Sequence, residues 1–217
     1  MTRLVGIYGA SGFGREVLPI IRAELARRPE AQDALVFVDD SPSAETLNGC
    51  RVYTPAEFLA LPAEHRSVAI TIADGAIRER VASRMAAAGV ATMNVLASNV
   101  VVMDDVQWGE GAVLCPFVTL TSNIRIGRHF HANLYSYVAH DCVIGDFVTF
   151  APSVKCNGNV HVEDYAYIGT GAVIRQGKPG APLVIGKGAV IGMGAVVTKS
   201  VAPGAVVVGN PARPMQP

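Results

Sequence analysis

A six-residue period that starts at Val102 constrains the fold of this chain more than any other feature. Because half of the 217 residues are apolar, 13 consecutive apolar residues at this spacing have a chance probability of roughly 10⁻⁴. The period pauses at "KPGAPL", residues 178–183, and resumes with Ile185, Ile191 and Val197. The 13 members of the series are Val102, Trp108, Leu114, Leu120, Ile126, Ala132, Val138, Ile144, Phe150, Cys156, Val162, Ile168 and Ile174.

Neither an α-helix nor a simple strand has this period, because their side chains repeat every 3.6 and every two residues. Four positions after each member of the series, 11 of 13 residues are apolar, whereas the third position of each hexad is apolar only at Leu134. A parallel β-helix in which each hexad forms one flat side has this pattern. We therefore predict such a helix, with a short tail, over residues 96–217.

The first 95 residues follow a different pattern, in which apolar strands alternate with helical segments. The strands are predicted at "RLVGIYGAS", "ALVFVDDS" and "SVAITIADG", and the helices at "REVLPIIRAELARR", "YTPAEFLAL" and "AIRERVASRMAAAG". Alternation of this kind is typical of a small parallel sheet with right-handed crossovers. The predicted fold class is a Rossmann-like α/β domain over residues 1–95, followed by the β-helix.

Several motifs carry a resemblance to a known family. The hexads "IGRHFH", "IGDFVT", "IGKGAV" and "IGMGAV", together with "GASGFGREV", "FVDD", "HDCVIGDF" and "VVVGNPARPM", resemble the NeuD/PglD-type sugar acetyltransferases. The resemblance implies a left-handed β-helix with three hexads per coil. It also implies a homotrimer that binds acetyl-CoA in a groove between neighbouring β-helices.

Charge and cysteine content exclude several other classes of protein. The 18 basic residues balance the 18 acidic ones, so neither a nucleic-acid-binding surface nor a polybasic membrane anchor is expected. Cys50, Cys115, Cys142 and Cys156 have no CxxC spacing, which favours buried thiols in a reducing compartment. The start "MTRLVGIYGASGF" lacks the apolar core of a signal peptide. We therefore expect a soluble, cytoplasmic protein.

His140 and Asp141 are the candidate catalytic pair. If three hexads form a coil, His140 takes an outward position between Ser122 below and Gly158 above, and Gly158 should leave an open shelf for a pantetheine arm. Histidine, with an unperturbed pKa of about 6.5, suits a general base near neutrality, and a carboxylate on its other ring nitrogen fixes the tautomer. The resemblance implies that His140 is the base and Asp141 its partner.

One other interpretation of His140 stays open at this point. It could be an exposed turn residue without a chemical role. Metal binding is not expected, since His129, His131 and His161 fall on other hexads or positions without ligand spacing.

The glycine-rich segment "GASGFG" provides the candidate substrate site of the first domain. Its glycines lie where a strand turns into a helix, which suits close approach of a phosphate to backbone amides. The resemblance implies that this domain holds the nucleotide half of a nucleotide-linked sugar; the alternative is an ordinary tight turn beside a solvated Asp pair. The implied substrate contacts are Gly12, Phe13, Gly14, Asp39, Asp40 and Asp74, with Asn133 of the β-helix as a further contact or a structural turn residue.

For acetyl-CoA, the resemblance implies a second set of residues. Thr149, Gly158, Thr170 and Met193 are expected along the groove, acting mainly through backbone amides, and Lys187, Lys199 and Arg213 are candidates for the CoA phosphates. The break at 178–183 is expected to protrude as a loop near this groove.

Three positions depart from the usual family pattern. Many relatives carry histidine where this chain has Phe13 and Thr149, and the Asp74-Gly75 pair replaces a more usual Asp-Asn. Thr149 can donate a hydrogen bond but cannot be a cation. These changes do not affect the candidate base, but they leave the sugar that accepts the acetyl group unidentified.

The sequence thus predicts an acetyl-CoA-dependent N-acetyltransferase that acts on a nucleotide-linked amino sugar in surface-glycan biosynthesis. Transfer would be direct, with His140 as the base and no metal. The alternatives are a sugar O-acetyltransferase, for a sialic-acid-like or O-antigen sugar, and a non-catalytic trimeric scaffold or sugar-nucleotide binder.

Overall fold

A computed structural model describes residues 3–27 and 33–215, which form two compact units. The first unit comprises the residues up to Ile72 together with Ile77–Val95, and the second comprises Ala73–Ala76 together with the residues from Leu96 onward. The predicted fold class is confirmed: an α/β unit is followed by a left-handed parallel β-helix. The last residue of the first predicted helix, Arg28, lies outside the described residues.

The α/β unit is built on a six-stranded sheet with the order β3-β4-β2-β1-β5-β6. All neighbours are parallel except β3 and β4. The three predicted strands form its centre, while short strands at both edges extend it. Its strands are β1 Arg3–Tyr8, β2 Asp33–Val38, β3 Thr46–Leu47, β4 Cys50–Tyr53, β5 His65–Ile70 and β6 Ala91–Thr92, and the helices are α1 Gly12–Leu25, α2 Pro55–Ala60 and α3 Gly75–Ala87.

The start of helix α2 follows local capping chemistry, whereas that of α1 does not. Helix α2 begins at Pro55 as predicted, because Thr54 and Glu57 form a reciprocal capping box in which each side chain bonds the other's backbone amide. Helix α1 begins at Gly12, three residues before the predicted start at Arg15. Gly12 and Gly14 therefore belong to the first helical turn and not to a preceding loop.

The second unit is a three-sided prism of short parallel strands, ended by a final strand that runs antiparallel to its neighbour. Face 1 contains β7 Val95–Leu96, β10 Val113–Leu114, β13 His131–Ala132, β16 Thr149–Phe150, β19 Tyr167–Ile168, β22 Val190–Ile191, β24 Val206–Val208 and β25 Arg213–Pro214. Face 2 contains β8 Val101–Val102, β11 Thr119–Leu120, β14 Tyr137–Val138, β17 Lys155–Cys156, β20 Val173–Ile174 and β23 Val196–Val197. Face 3 contains β9 Val106–Trp108, β12 Ile124–Ile126, β15 Val143–Ile144, β18 Val160–Val162 and β21 Leu183–Ile185.

Strand register confirms three hexads per coil. Val113 pairs with His131 and Thr119 with Tyr137, in each case 18 positions along the chain. Across the break in the repeat, Val160 pairs with Leu183, 23 positions along, because the chain inserts extra residues between the two coils. The insertion turns back on itself through a bridge between Lys178 and Ala181 and is exposed, as expected for a protruding loop.

The periodic apolar side chains fill the prism. From Leu114 onward every member of the series is buried, and the four cysteines are buried free thiols. The expectation that Val102 points into the core is wrong, since 38 % of its surface is exposed. Trp108 is only half-buried. Both belong to the first coil, which has no complete coil beneath it.

From Asp105 to Gly171, each corner of the prism is turned by a residue with positive φ. These residues recur every six positions, and their φ angles lie between 49° and 65° where they are not glycine. A side chain in this conformation costs about 1–2 kcal/mol, so the pairing on both sides of each corner has to impose it. The non-glycine corner residues are Asp105, Phe117, Asn123, His129, Tyr135, Asp141, Phe147, Ser153, Asn159 and Tyr165.

Candidate functional site

The His140–Asp141 pair lies on the second corner of the prism, between face 2 and face 3. Asp141 is the positive-φ residue of its corner, with φ 58°, so His140 immediately before it projects outward. The His140 Nδ1 and Asp141 Oδ2 atoms are 2.8 Å apart. Both side chains are 47 % exposed. The arrangement leaves the other ring nitrogen, Nε2, as the atom that can exchange a proton with a bound molecule.

Asn123 joins this pair, and the sequence analysis did not identify it. It lies 18 positions before Asp141, hence one coil below, and its Nδ2 donates to Asp141 Oδ1 at 3.2 Å. The hydrogen bond from His140, and then the one from Asn123, hold the pKa of Asp141 below its ordinary value. The spacing of one coil was the signal that could have revealed Asn123.

Gly158 lies against the imidazole of His140, so the open shelf predicted there is wrong. A Cβ at Gly158 would come within 2.5 Å of both Cε1 and Nε2 of the ring. The ring therefore occupies the space that the missing side chain leaves, and Gly158 itself is buried. Because it has no side chain, Gly158 leaves room for the imidazole of His140.

The second corner carries exposed cations above His140. Lys199 follows β23 and lies on this corner, and Arg175 and Lys178 belong to the inserted loop that starts from it. The loop stacks directly over the coil of Gly158, since the Gly177 amide donates to the Gly158 carbonyl at 2.9 Å. Arg175 and Lys178 were not identified from the sequence; Lys178 begins the interruption of the six-residue period, and Arg175 lies just before it.

The other expected groove residues lie elsewhere on the prism. Thr170 and Met193 are exposed on the first corner, between face 1 and face 2. Asn133 is on the same corner, and its Oδ1 accepts from the Leu134 amide at 2.7 Å, which supports a structural turn role. Within one chain these residues are not brought together with His140.

Thr149 is buried on face 1, and its hydroxyl is engaged. Its Oγ1 donates to the Ala73 carbonyl at 2.7 Å, within the segment that precedes Asp74 and Gly75. The structure thus places Thr149 away from the second corner and gives its hydroxyl a structural partner. The expected position near the thioester of the same chain is not supported.

Lys187 and Arg213, the other candidates for the CoA phosphates, interact with neighbouring residues of the β-helix. Lys187 lies on the third corner, between face 3 and face 1, with its Nζ 3.9 Å from Asp164 Oδ2 and 5.2 Å from the centre of the Tyr165 ring. Arg213 lies in β25 at the end of face 1 and donates to the Ala212 carbonyl. Of the three cations named from the sequence, only Lys199 shares a corner with His140.

In the α/β unit, the glycine-rich segment meets the amino end of α1. The Cβ of any residue at Gly14 would lie 2.0 Å from the Gly9 carbonyl oxygen, so glycine is required for this close approach. Gly12, by contrast, faces open space, and the side chain of the N-cap residue Ser11 makes no capping bond. The amino end of this 14-residue helix carries a partial positive charge, which favours an anion nearby. Phe13 is half-buried in the same turn.

Asp39 and Asp40 follow β2 and differ in their roles. Asp39 binds backbone amides with both oxygens, from Ala10 at 2.8 Å and from Ser41 at 3.0 Å, so it shapes the glycine-rich turn. Asp40 accepts from the Tyr8 hydroxyl at 2.7 Å and pairs with Arg84 at 2.9 Å. Burial raises the pKa of the Asp40 carboxyl, and the adjacent Asp39 charge adds to the rise.

A cavity of about 360 Å³ opens beside Asp40. Besides the carboxylate it is lined by Arg80 and Arg84, which supply hydrogen-bond donors, and by the apolar side chains of Ile77 and Val81. The residues on α3 that form this wall were not identified from the sequence.

Two further observations bear on the chemistry. Within residues 3–27 and 33–215, no three His, Cys, Asp or Glu side chains are grouped so that they could hold a metal ion. Over the same ranges, no helix is both long and apolar enough to cross a bilayer.

Comparison with known proteins places the chain in a family. Residues 5–85 match the family model of the PglD N-terminal domain. The chain is 51 % identical over 213 residues to the GDP-perosamine N-acetyltransferase of Escherichia coli O157:H7, which covers 98 % of this chain and 96 % of the relative.

Two solved structures are similar over nearly the whole chain. WeeI from Acinetobacter baumannii AYE is 57 % identical with a TM-score of 0.94, covering 98 % of this chain and 100 % of that one. The acetyltransferase domain of PglB from Neisseria gonorrhoeae FA1090, in complex with acetyl coenzyme A, is 27 % identical with a TM-score of 0.84, covering 99 % and 100 %. The chain therefore belongs to the NeuD/PglD-type family of acetyl-CoA-dependent sugar acetyltransferases.

Proposed function

We propose that this chain transfers the acetyl group of acetyl-CoA to the amine of a nucleotide-linked sugar, with His140 as the general base. GDP-perosamine, named as the substrate of the 51 % identical relative, represents the substrate class. Residues 1–95 would bind the nucleotide sugar, and residues 96–217 would bind acetyl-CoA and perform the transfer. The non-catalytic scaffold has no observation in its favour.

The observation that carries this proposal is the exposed His140–Asp141 pair. The Asp141 carboxylate, 2.8 Å from Nδ1, keeps the proton on that nitrogen, so Nε2 has a lone pair for a substrate proton. The ring is half-exposed, which allows a substrate to reach it. A solvated turn histidine would not need a glycine that accommodates its ring.

The reaction is a direct acyl transfer. The neutral amine attacks the thioester carbonyl, and its nitrogen becomes positively charged as the new C–N bond forms. Nε2 of His140 accepts one proton from that nitrogen, the C–S bond breaks, and the proton passes to the departing sulfur as CoA leaves as a thiol. Backbone amides that face the carbonyl oxygen would stabilise the tetrahedral intermediate. The side chains required from this chain are His140 and its supports.

The cations of the second corner support binding of CoA along that edge. Coils are spaced by about 4.8 Å, so Lys199, three coils above His140, lies about 14 Å away along the prism. Arg175, Lys178 and Lys199 can pair with the phosphates while the thioester lies beside His140. Thr170 and Met193, on a different corner, would contact the same CoA from another copy. This division supports the homotrimer that we propose.

In the α/β unit, we assign the sugar nucleotide to the carboxyl edge of the sheet. The amides of Gly12, Phe13 and Gly14 would bind the diphosphate, and the Asp40 cavity would receive the nucleoside. Asp39 would act indirectly, through the turn that it holds. The four free thiols favour a reducing compartment, and we propose the cytoplasm.

A panel of activated sugars tests this proposal. The purified protein is incubated with acetyl-CoA and UDP-, dTDP-, GDP- or CMP-linked sugars, each offered as a matched pair with an amine or a hydroxyl at the same carbon. We expect one added acetyl group, detected by mass spectrometry, on an amine-bearing GDP-sugar alone. Acetylation of the hydroxyl partner would identify an O-acetyltransferase. Absence of product from every pair would contradict the proposed function.

A further inference from the structure

Three residues form a connected network at the second corner, and only two of them were expected. Asp105, Asn123, Asp141 and Asn159 stack at intervals of 18 residues, all with positive φ. Asn123 is therefore fixed directly beneath Asp141 by the coil itself. Its amide nitrogen is 3.2 Å from Asp141 Oδ1, on the opposite side of the carboxylate from His140.

The two oxygens of Asp141 have separate partners. Oδ2 faces His140 Nδ1 at 2.8 Å, whereas Oδ1 accepts from Asn123. A carboxylate held at both oxygens cannot rotate about its terminal torsion without losing one of these hydrogen bonds. Hydrogen bonds to a charged acceptor are among the stronger ones in proteins. The orientation of the carboxylate, and through it the tautomer of the histidine, is thereby defined.

The other side of the ring is defined by Gly158. Because the imidazole fills the space where a side chain of Gly158 would lie, the plane of the ring is limited there by backbone. The titratable groups around Asp141 are His140 beside it and the buried thiol of Cys142 after it, while Gly158 and Asn123 add no charge. Asn123 therefore donates a hydrogen bond to Asp141 without adding a charge of its own.

We propose that Asn123 is a positioning residue that holds Asp141 so that Nδ1 of His140 keeps its proton and Nε2 accepts the proton of the substrate amine. This inference rests on the proposed role of His140 as the base. Asparagine suits the position for two reasons: it tolerates positive φ better than most residues, and its amide donates without ionising. An aspartate there would place two carboxylates side by side.

Two variants separate this role from a structural one. Asn123→Gly removes the amide and accepts the positive φ, and Asn123→Asp keeps the shape but replaces the donor with a negative charge. Asp105→Gly is the matched control, because Asp105 lies one coil further down the same column, with φ 49°, and bonds to Arg125 instead of the pair.

The first readout is the protonation of the His140 ring, followed by ¹⁵N NMR of the full-length protein labelled at histidine and assigned with the His140→Asn variant. We expect the Nδ1–H tautomer in the wild type and in Asp105→Gly, and a mixture of tautomers in both Asn123 variants. The second readout is acetyl transfer. A lost hydrogen bond to a charged group predicts a fall in kcat of roughly tenfold, with the KM for acetyl-CoA unchanged.

The outcomes distinguish the two claims. If both Asn123 variants keep the wild-type tautomer and kcat, Asn123 is not a positioning residue, whatever the role of His140. If His140→Asn itself keeps wild-type activity, the proposed base is wrong and this inference fails with it. Circular dichroism and thermal unfolding of each variant confirm that the fold is retained, and Asn123→Gly keeps the test valid should Asn123→Asp fail to fold.

Discussion

At the scale of single residues, the site depends on what lies around the histidine more than on the histidine itself. His140 is seated on Gly158, bonded to Asp141 and supported through Asn123. The six-residue spacing predicted the outward direction of His140 and the inward direction of Cys142, which is fully buried. It could not predict that the ring would occupy the space over Gly158, because that depends on a side-chain torsion and not on the backbone repeat.

Gly158→Ala should lower activity while leaving stability nearly intact. Its φ is not in the left-handed region, so alanine introduces no backbone strain, and the group in the way is the end of a side chain that can move. The ring would be displaced from its seat, and misplacement by about 1 Å can cost roughly a hundredfold in rate. Steady-state kinetics and thermal unfolding test this.

The matched control is Gly89→Ala, which adds a methyl group where no atom lies within 4 Å but where φ is +72°. It should lower the unfolding temperature and leave kcat unchanged. An active Gly158→Ala with wild-type kcat would show that the contact has no catalytic consequence.

At the scale of elements, the positions of the strands were predictable wherever the six-residue repeat continues. The series of apolar residues placed the strands on the three faces from Leu114 to Val197, since each inward side chain is buried by the coils above and below. The first coil departs from the pattern at Val102, where burial on one side is lost. In the α/β unit, β3, β4 and β6 are short outer strands with no periodic signal of their own, and pairing with their neighbours in the sheet forms them.

The corners explain why the sequence could not show which candidate CoA residues lie near His140. Sequence spacing assigns a residue to a position within its hexad, but the choice among three corners requires the register of the coils. Lys199 shares the corner of His140, whereas Thr170 and Lys187 each lie on another. Lys178 begins the insertion, where the period is interrupted, and Arg175 lies just before it.

At the scale of the whole molecule, the distribution of the candidate residues over separate corners predicts active sites shared between copies. His140 lies on the second corner and Thr170 on the first, with face 2 between them. We propose that one CoA contacts the second corner of one chain and the first corner of a neighbouring copy. Sedimentation of the purified protein is expected to give three times the mass of one chain.

Mixed oligomers test shared sites directly. His140→Asn removes the base, and Thr170→Arg places a bulky side chain on the exposed first corner. Each variant alone should be inactive, whereas co-expression with two different affinity tags should yield mixed oligomers with restored activity, because some sites combine an intact second corner with an intact first corner. If doubly tagged oligomers stay inactive, each chain contains its own complete site.

If His140 accepts the proton of the substrate amine, its replacement by asparagine should lower kcat sharply, and the kcat of the His140→Asn variant measures this. Asparagine has a similar reach but cannot accept a proton at neutral pH. With acetyl-CoA and a GDP-linked amino sugar, we predict a kcat roughly 10²–10⁴-fold below that of the wild type, at unchanged thermal stability. A folded His140→Asn variant with the wild-type kcat would contradict the account.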